Sequence, residues 1–97
     1  MYGTVAKLQV KAGREADLTR HLEQYQSGGL AGGFVASALY RADDGGGHWL
    51  AVVFESREKY DANADSPEQD ARYREMRELL DADPEWHDGE VLLRLTG

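Results

Sequence analysis

Along residues 2–11 apolar and polar positions alternate: after Thr4, Ala6, Leu8 and Val10 fall on one side and Lys7, Gln9 and Lys11 on the other. That period of two predicts a first strand. Ala12-Gly13 interrupts it, and from Arg14 to Ser27 the period lengthens, with Leu18, His21, Leu22 and Tyr25 spaced i, i+3, i+4 and i+7. This is one face of a helix, which Gly28-Gly29 is suited to close. Phe34–Arg41 and His48–Glu55 are two apolar, β-prone runs joined by Asp43-Asp44-Gly45-Gly46-Gly47, and they predict an antiparallel pair. Ser56–Ala64 predicts a short helix with Ser56 as its cap. Ser66-Pro67-Glu68-Gln69 then has the form of a capping box: Ser66 accepts from the Gln69 amide, Pro67 takes the first helical position, and Gln69 reaches back. The helix opened there points Tyr73, Met76 and Leu80 inward, carries the acid-first pairs Glu68/Arg72 and Asp70/Arg74, and stops at Asp83-Pro84. Beyond an Asp88-Gly89 turn, Glu90–Thr96 predicts the last strand, with Val91, Leu93 and Leu95 on one side.

The resulting order, βαββααβ, is that of an α+β, ferredoxin-like domain with its second helix broken in two. Such a chain forms a four-stranded antiparallel sheet with helices on one face. The third strand is apolar on both sides, Leu50, Val52 and Phe54 against Trp49, Ala51 and Val53, whereas a solvated face would alternate with polar residues. An exposed patch of that size is a liability for a monomer. A homodimer with two sheets packed face to face is therefore expected.

Composition narrows the function classes. At 97 residues the chain is one domain, 1–97, and 41% hydrophobic with 30% charged residues is a globular composition. Eighteen acids against 11 bases give a net charge of −7, which opposes nucleic-acid and anionic-membrane binding where the bases are not clustered. The absence of cysteine removes disulfides, thiolate metal sites and cysteine nucleophiles. No apolar run reaches membrane-spanning length, and the N-terminus reads as a strand rather than a targeting segment; a cytoplasmic protein is expected.

No strong catalytic motif is present, so individual residues carry the chemistry. His21, on the apolar face of the first helix, reads either as a boundary histidine bonded to a carbonyl or as a general base in a pocket between helices and sheet. Tyr60 and Tyr73 read as core aromatics or as pocket walls with polar tips. Asn63, near the end of the second helix, is either a cap or a substrate hydrogen-bond donor. Trp49 belongs to the dimer interface or to the barrel wall that contacts substrate. Glu85-Trp86-His87-Asp88-Gly89-Glu90 holds metal-capable side chains, but a turn entering a strand splays them, so no metal site is expected.

Gly33-Phe34-Val35 opening the second strand, Val53-Phe54-Glu55-Ser56-Arg57-Glu58-Lys59-Tyr60 leading into the second helix, and Ser66-Pro67 opening the third resemble the antibiotic biosynthesis monooxygenase family over nearly the whole length. The resemblance implies a dimeric α/β barrel. It also implies one of two chemistries: cofactor-independent oxygenation of polyphenolic, quinone-forming substrates, or haem degradation. The haem-degrading branch uses an asparagine on the first strand, a tryptophan on the second helix and a histidine on the third. Aligned on Gly13 and Ser66-Pro67, this chain has Ala6, Asn63 and Tyr73 there. The loss of the whole set argues against haem degradation.

The oxygenase branch asks less of the protein: a dry pocket, a group that favours the substrate phenolate or carbanion, and room for O2. Here His21 is the expected base, Asn63 and Tyr73 the expected donors to a developing oxyanion, and Tyr60 and Trp49 the expected substrate contacts, with no cofactor. The competing reading is a non-enzymatic dimer of the same fold that binds a small hydrophobic ligand. An amino-acid-binding regulatory module lacks its usual enzyme domain, and RNA recognition lacks basic residues interleaved with aromatics.

Overall fold

The computed structural model describes residues 1–27 and 32–96. Its elements run β1 Tyr2–Leu8, α1 Glu15–Ser27, β2 Phe34–Arg41, β3 His48–Phe54, α2 Arg57–Ala64, α3 Pro67–Arg77 and β4 Glu85–Glu90. All strand pairs are antiparallel and the sheet order is β2-β3-β1-β4, with the first strand central, as the predicted α+β, ferredoxin-like arrangement requires. The closing glycines of α1 predicted at Gly28-Gly29 lie outside the described residues.

Local chemistry accounts for the element ends. The Ser56 hydroxyl accepts from the Lys59 amide at 3.2 Å and Ser66 from the Gln69 amide at 3.1 Å, so both predicted caps form. Half of the capping box is replaced: Ser66 Oγ donates to the Asn63 carbonyl at 2.8 Å, and the Gln69 side chain lines a cavity instead of reaching back. In the β2–β3 hairpin, Gly45 and Gly47 take φ of 79° and 97°, a region that glycine enters without steric cost. Gly3 serves a different need, since a Cβ there would collide with the Val52 carbonyl on β3.

Register decides the faces. Pairing Ala6 with Leu50 and Thr4 with Val52 puts the even residues of β1 and β3 under the helices, where Ala6, Leu8, Leu18, Leu50, Met76 and Leu80 form the core. Tyr2, Phe34, Phe54 and Tyr60 continue this layer as edge-to-face aromatics, with ring centroids 5.2–5.9 Å apart. The odd residues form the outer face, where Trp49, Ala51 and Val53 lie beside Val5, which is 45% exposed, and Tyr40, which is 61% exposed. The two-sided apolar pattern of β3 is thus real, and one of its sides has no cover among the described residues.

Two predicted boundaries move. The alternation of residues 2–11 belongs to β1 only as far as Leu8; Val10 instead bridges Leu80, and the Lys11 amide donates to the Leu79 carbonyl at 2.9 Å. The larger correction concerns the last strand. Asp88-Gly89 is not a turn before it but part of it: Asp88 pairs with Thr4 and Gly89 with Gly3, and of the predicted Glu90–Thr96 only Glu90 belongs to the strand. Pairing to the free edge of β1 overrides the local turn preference, and a strand polar on both faces shows no alternation to read. The apolar segment after it lies open, with Leu92, Leu93 and Leu95 at 91%, 74% and 82% exposure.

Candidate functional site

Between the sheet and the broken helix pair lies a cavity of about 500 Å³. The break makes room for it. Asp65 ends α2, Ser66 starts α3, and the turn between them is held by hydrogen bonds to the Asn63 carbonyl from the Ser66 amide and hydroxyl. Fixed in this way, α2 presents Tyr60 and Asn63 to the cavity and α3 presents Tyr73 and Met76. The sheet supplies a mostly apolar floor from Phe34, Leu50, Val52 and Phe54, and Trp86 stands at the rim, its ring centroid 6.4 Å from that of Tyr73. The volume suits a small aromatic ligand.

The polar groups of the lining are unevenly used. Asn63 is 8% exposed, and its side-chain amide takes no hydrogen bond among the described residues. Thr4 is 5% exposed and its hydroxyl is buried with no hydrogen-bond partner among the described residues. The Tyr60 hydroxyl donates to Asp88 Oδ1 at 2.9 Å across the cavity mouth. Burial first, then that hydrogen bond and the carboxylate's charge, push the Tyr60 phenol well above its ordinary range, against the nearby Thr4 hydroxyl, which favours the phenolate. Tyr60 is therefore a standing donor and not a phenolate.

Three carboxylates reach the lining, from Asp61, Asp70 and Asp88, and no lysine, arginine or histidine does among the described residues. Asp61 lies 3.7 Å from the Arg57 guanidinium and Asp70 2.6 Å from that of Arg74, so the ion pair predicted for Asp70 forms. Among the described residues the Asp88 carboxylate has only the neutral Tyr60 hydroxyl as a hydrogen-bond partner. The described residues contain no group of three or more histidine, aspartate or glutamate side chains able to hold a metal ion.

Of the residues singled out from sequence, Asn63, Tyr60 and Tyr73 converge on the cavity and two do not. His21 sits behind it: Nε2–H donates to the Arg72 carbonyl at 3.1 Å and Nδ1 lies 3.7 Å from the Glu75 carboxylate, tying α1 to α3. This corresponds to the carbonyl-bonded alternative for that residue. Trp49 lies on the outer face, opposite Leu50's side of β3, with the Lys7 ammonium 5.7 Å from its ring centroid. Thr4 and Asp88 complete the site without having been singled out. Thr4 did carry a signal, being a polar residue in the even register of an otherwise inward apolar face; Asp88 carried none, because its strand could not be seen.

The sequence profile of the antibiotic biosynthesis monooxygenase family matches residues 1–75. No curated protein sequence matches the chain at a significant level. Among solved structures, a Bordetella bronchiseptica protein carrying the same family designation superposes with a TM-score of 0.78 at 22% identity, covering 95% of this chain and 97% of its own. SnoaB from Streptomyces nogalater, a cofactor-independent oxygenase, gives 0.77 at 16% identity, covering 99% and 97%. MhuD, determined with two manganese protoporphyrin IX molecules bound per active site, gives 0.75 at 20% identity and full coverage of both chains. At such identities the likeness is one of fold.

Proposed function

Because the chain belongs to the antibiotic biosynthesis monooxygenase family, we propose that it is a cofactor-independent monooxygenase that oxidises a small phenolic aromatic with O2. One observation carries this reading. The cavity is apolar over most of its wall, yet the Thr4 hydroxyl is buried there without a hydrogen-bond partner, and the Asn63 side-chain amide makes no hydrogen bond, among the described residues. Leaving such groups unpaired costs stability, and a ligand that pairs them recovers that cost. SnoaB, similar in fold, is an oxygenase of this kind.

In the proposed reaction an activated methylene of an anthrone-like substrate loses a proton, and the carbanion transfers its electron density to O2. The carbon-bound peroxide then loses water. The methylene gives up both hydrogens, one oxygen atom becomes the quinone carbonyl and the other leaves as water. Asn63 and Tyr73 donate hydrogen bonds to the oxygen on which the substrate's charge develops, Tyr60 and the aromatic floor exclude water, and the proton passes to a lining carboxylate. His21 acts by positioning α3 against α1.

Anthrone incubated with the protein in air and without oxygen, scored by quinone absorbance, tests the reading. Oxygen-dependent turnover that falls at least about tenfold in Asn63→Ala is expected; no turnover above the protein-free rate overturns it. His21→Ala is expected to alter stability more than kcat.

The residues do not fit a haem-degrading site. Ala6 is fully buried in the core, no histidine lines the cavity among the described residues, and the one aromatic oxygen at the ligand position is that of Tyr73. Addition of haem is expected to leave the Soret band unshifted.

The working unit is proposed to be a homodimer. The outer face of β3 is apolar and uncovered among the described residues, and the exposed Leu92, Leu93 and Leu95 provide an arm that a second copy can receive.

A further inference from the structure

We infer that Thr4, Tyr60 and Asp88 form a recognition subsite for a neutral hydroxyl group, phenolic or enolic, and that Asp88 turns carboxylated analogues away. This deepens the oxygenase reading and rests on it for the cavity being a substrate pocket.

The subsite is assembled by register. Thr4 and Asp88 are directly paired across β1 and β4 on the helix-facing side of the sheet, and Tyr60 comes down on them from α2. The Tyr60 hydroxyl is already committed as donor to Asp88 Oδ1 at 2.9 Å, which fixes the carboxylate and leaves Oδ2 with no hydrogen-bond donor among the described residues. Beside it the Thr4 hydroxyl, buried and unpartnered, has both a proton to give and lone pairs to accept with. A ligand oxygen entering here meets one idle donor and one idle anionic acceptor. A neutral hydroxyl satisfies both at once, accepting from Thr4 and donating to Asp88. An ether or carbonyl satisfies only Thr4. A carboxylate satisfies Thr4 but faces the Asp88 carboxylate, with no cationic side chain in the lining among the described residues to offset it.

Isothermal titration calorimetry with two probes of similar size, 2-naphthol and 2-naphthoate, tests this at neutral pH, where the first is uncharged and the second anionic. The full-length protein is expected to prefer the naphthol by at least about fivefold, the factor that a like-charge contact near 4 Å produces even when solvated. Asp88→Asn is expected to bring the ratio close to one. Thr4→Val is expected to weaken naphthol binding several-fold while leaving Tm unchanged or raised, a combination that a purely structural hydroxyl would not give. Asp43→Asn, which removes the same charge from the β2–β3 loop, is expected to leave the ratio alone. If naphthol binds and its preference survives in Asp88→Asn, or collapses equally in Asp43→Asn, the subsite is overturned and the oxygenase reading stands. If neither probe binds the wild-type protein, both are overturned.

Discussion

Tyr60 and Thr4 show how the fold fixes the state of single polar groups, one held as a protonated donor and the other buried without a partner among the described residues. The Tyr60 phenol is raised above its ordinary value near 10, first by burial and then by Asp88. A raised value means that the folded state keeps its proton where the unfolded state would lose it. Its contribution to stability is thus intact below about pH 10 and declines as the pH rises beyond it. Ultraviolet titration is expected to show one tyrosine ionising later than the others, and Tyr60→Phe is expected to remove that phase. Thr4→Val replaces a buried, unpartnered hydroxyl by a methyl group of similar shape, so the unliganded protein is expected to gain about 1 kcal/mol in urea denaturation; a loss of that size would mean that the hydroxyl is already satisfied. Tyr73 was legible as a candidate because helical spacing sets it on one face with Met76 and Leu80, and Asn63 because a polar residue near the end of the second helix can serve as a cap or bond a ligand. His21 shares the face of α1 with Leu18 and Leu22, but spacing cannot say that Arg72 and Glu75, more than fifty residues on, would take both ring nitrogens.

At the scale of elements, two junctions position the cavity. The first is the break between α2 and α3, where Ser66 Oγ both accepts from Gln69 and donates to Asn63. Ser66→Ala is expected to cost about 1 kcal/mol in stability, and Ser66→Asp, which retains only the acceptor, to recover part of it. The second is the start of α1, where Glu15 Oε2 lies 2.7 Å from His48 Nε2 and Oε1 accepts from Arg41 at 2.8 Å, stitching the helix to β2 and β3. The hydrogen bond with His48 is the main cause that holds the Glu15 carboxyl below its usual 4.5, with Arg41 adding to it against some desolvation. A lowered value gives stability that is complete above the ordinary carboxylate range and is lost as the pH falls through the lower folded value. The Tm difference between wild type and Glu15→Gln is therefore expected to shrink on acidification below about pH 4.5. Caps were legible because they need only neighbours within four residues; the Glu15 junction was not, because its partners lie 26 and 33 positions away.

For the whole molecule the open question is what covers the outer face of the sheet and the leucine arm. Sedimentation at micromolar concentration is expected to give twice the 10.8 kDa of one chain. Val5→Asp, or truncation after Glu90, is expected to shift it toward the monomer with the circular dichroism spectrum retained; a monomeric wild type would overturn the dimer. No helix is long and apolar enough to cross a membrane among the described residues. The sequence by itself determined the order of elements, the caps, the inward faces of the helices and of β1 and β3, and the two-sided apolar character of β3, because these follow from periodicity and from contacts a few residues apart. Only the tertiary structure decided where the last strand lies, that His21 and Trp49 leave the cavity, and that Thr4, Tyr60 and Asp88 meet. Those outcomes depend on strand register and on helix-to-sheet packing, which join residues distant in the chain. A one-residue change of register would have turned Thr4 and Asp88 to the opposite face.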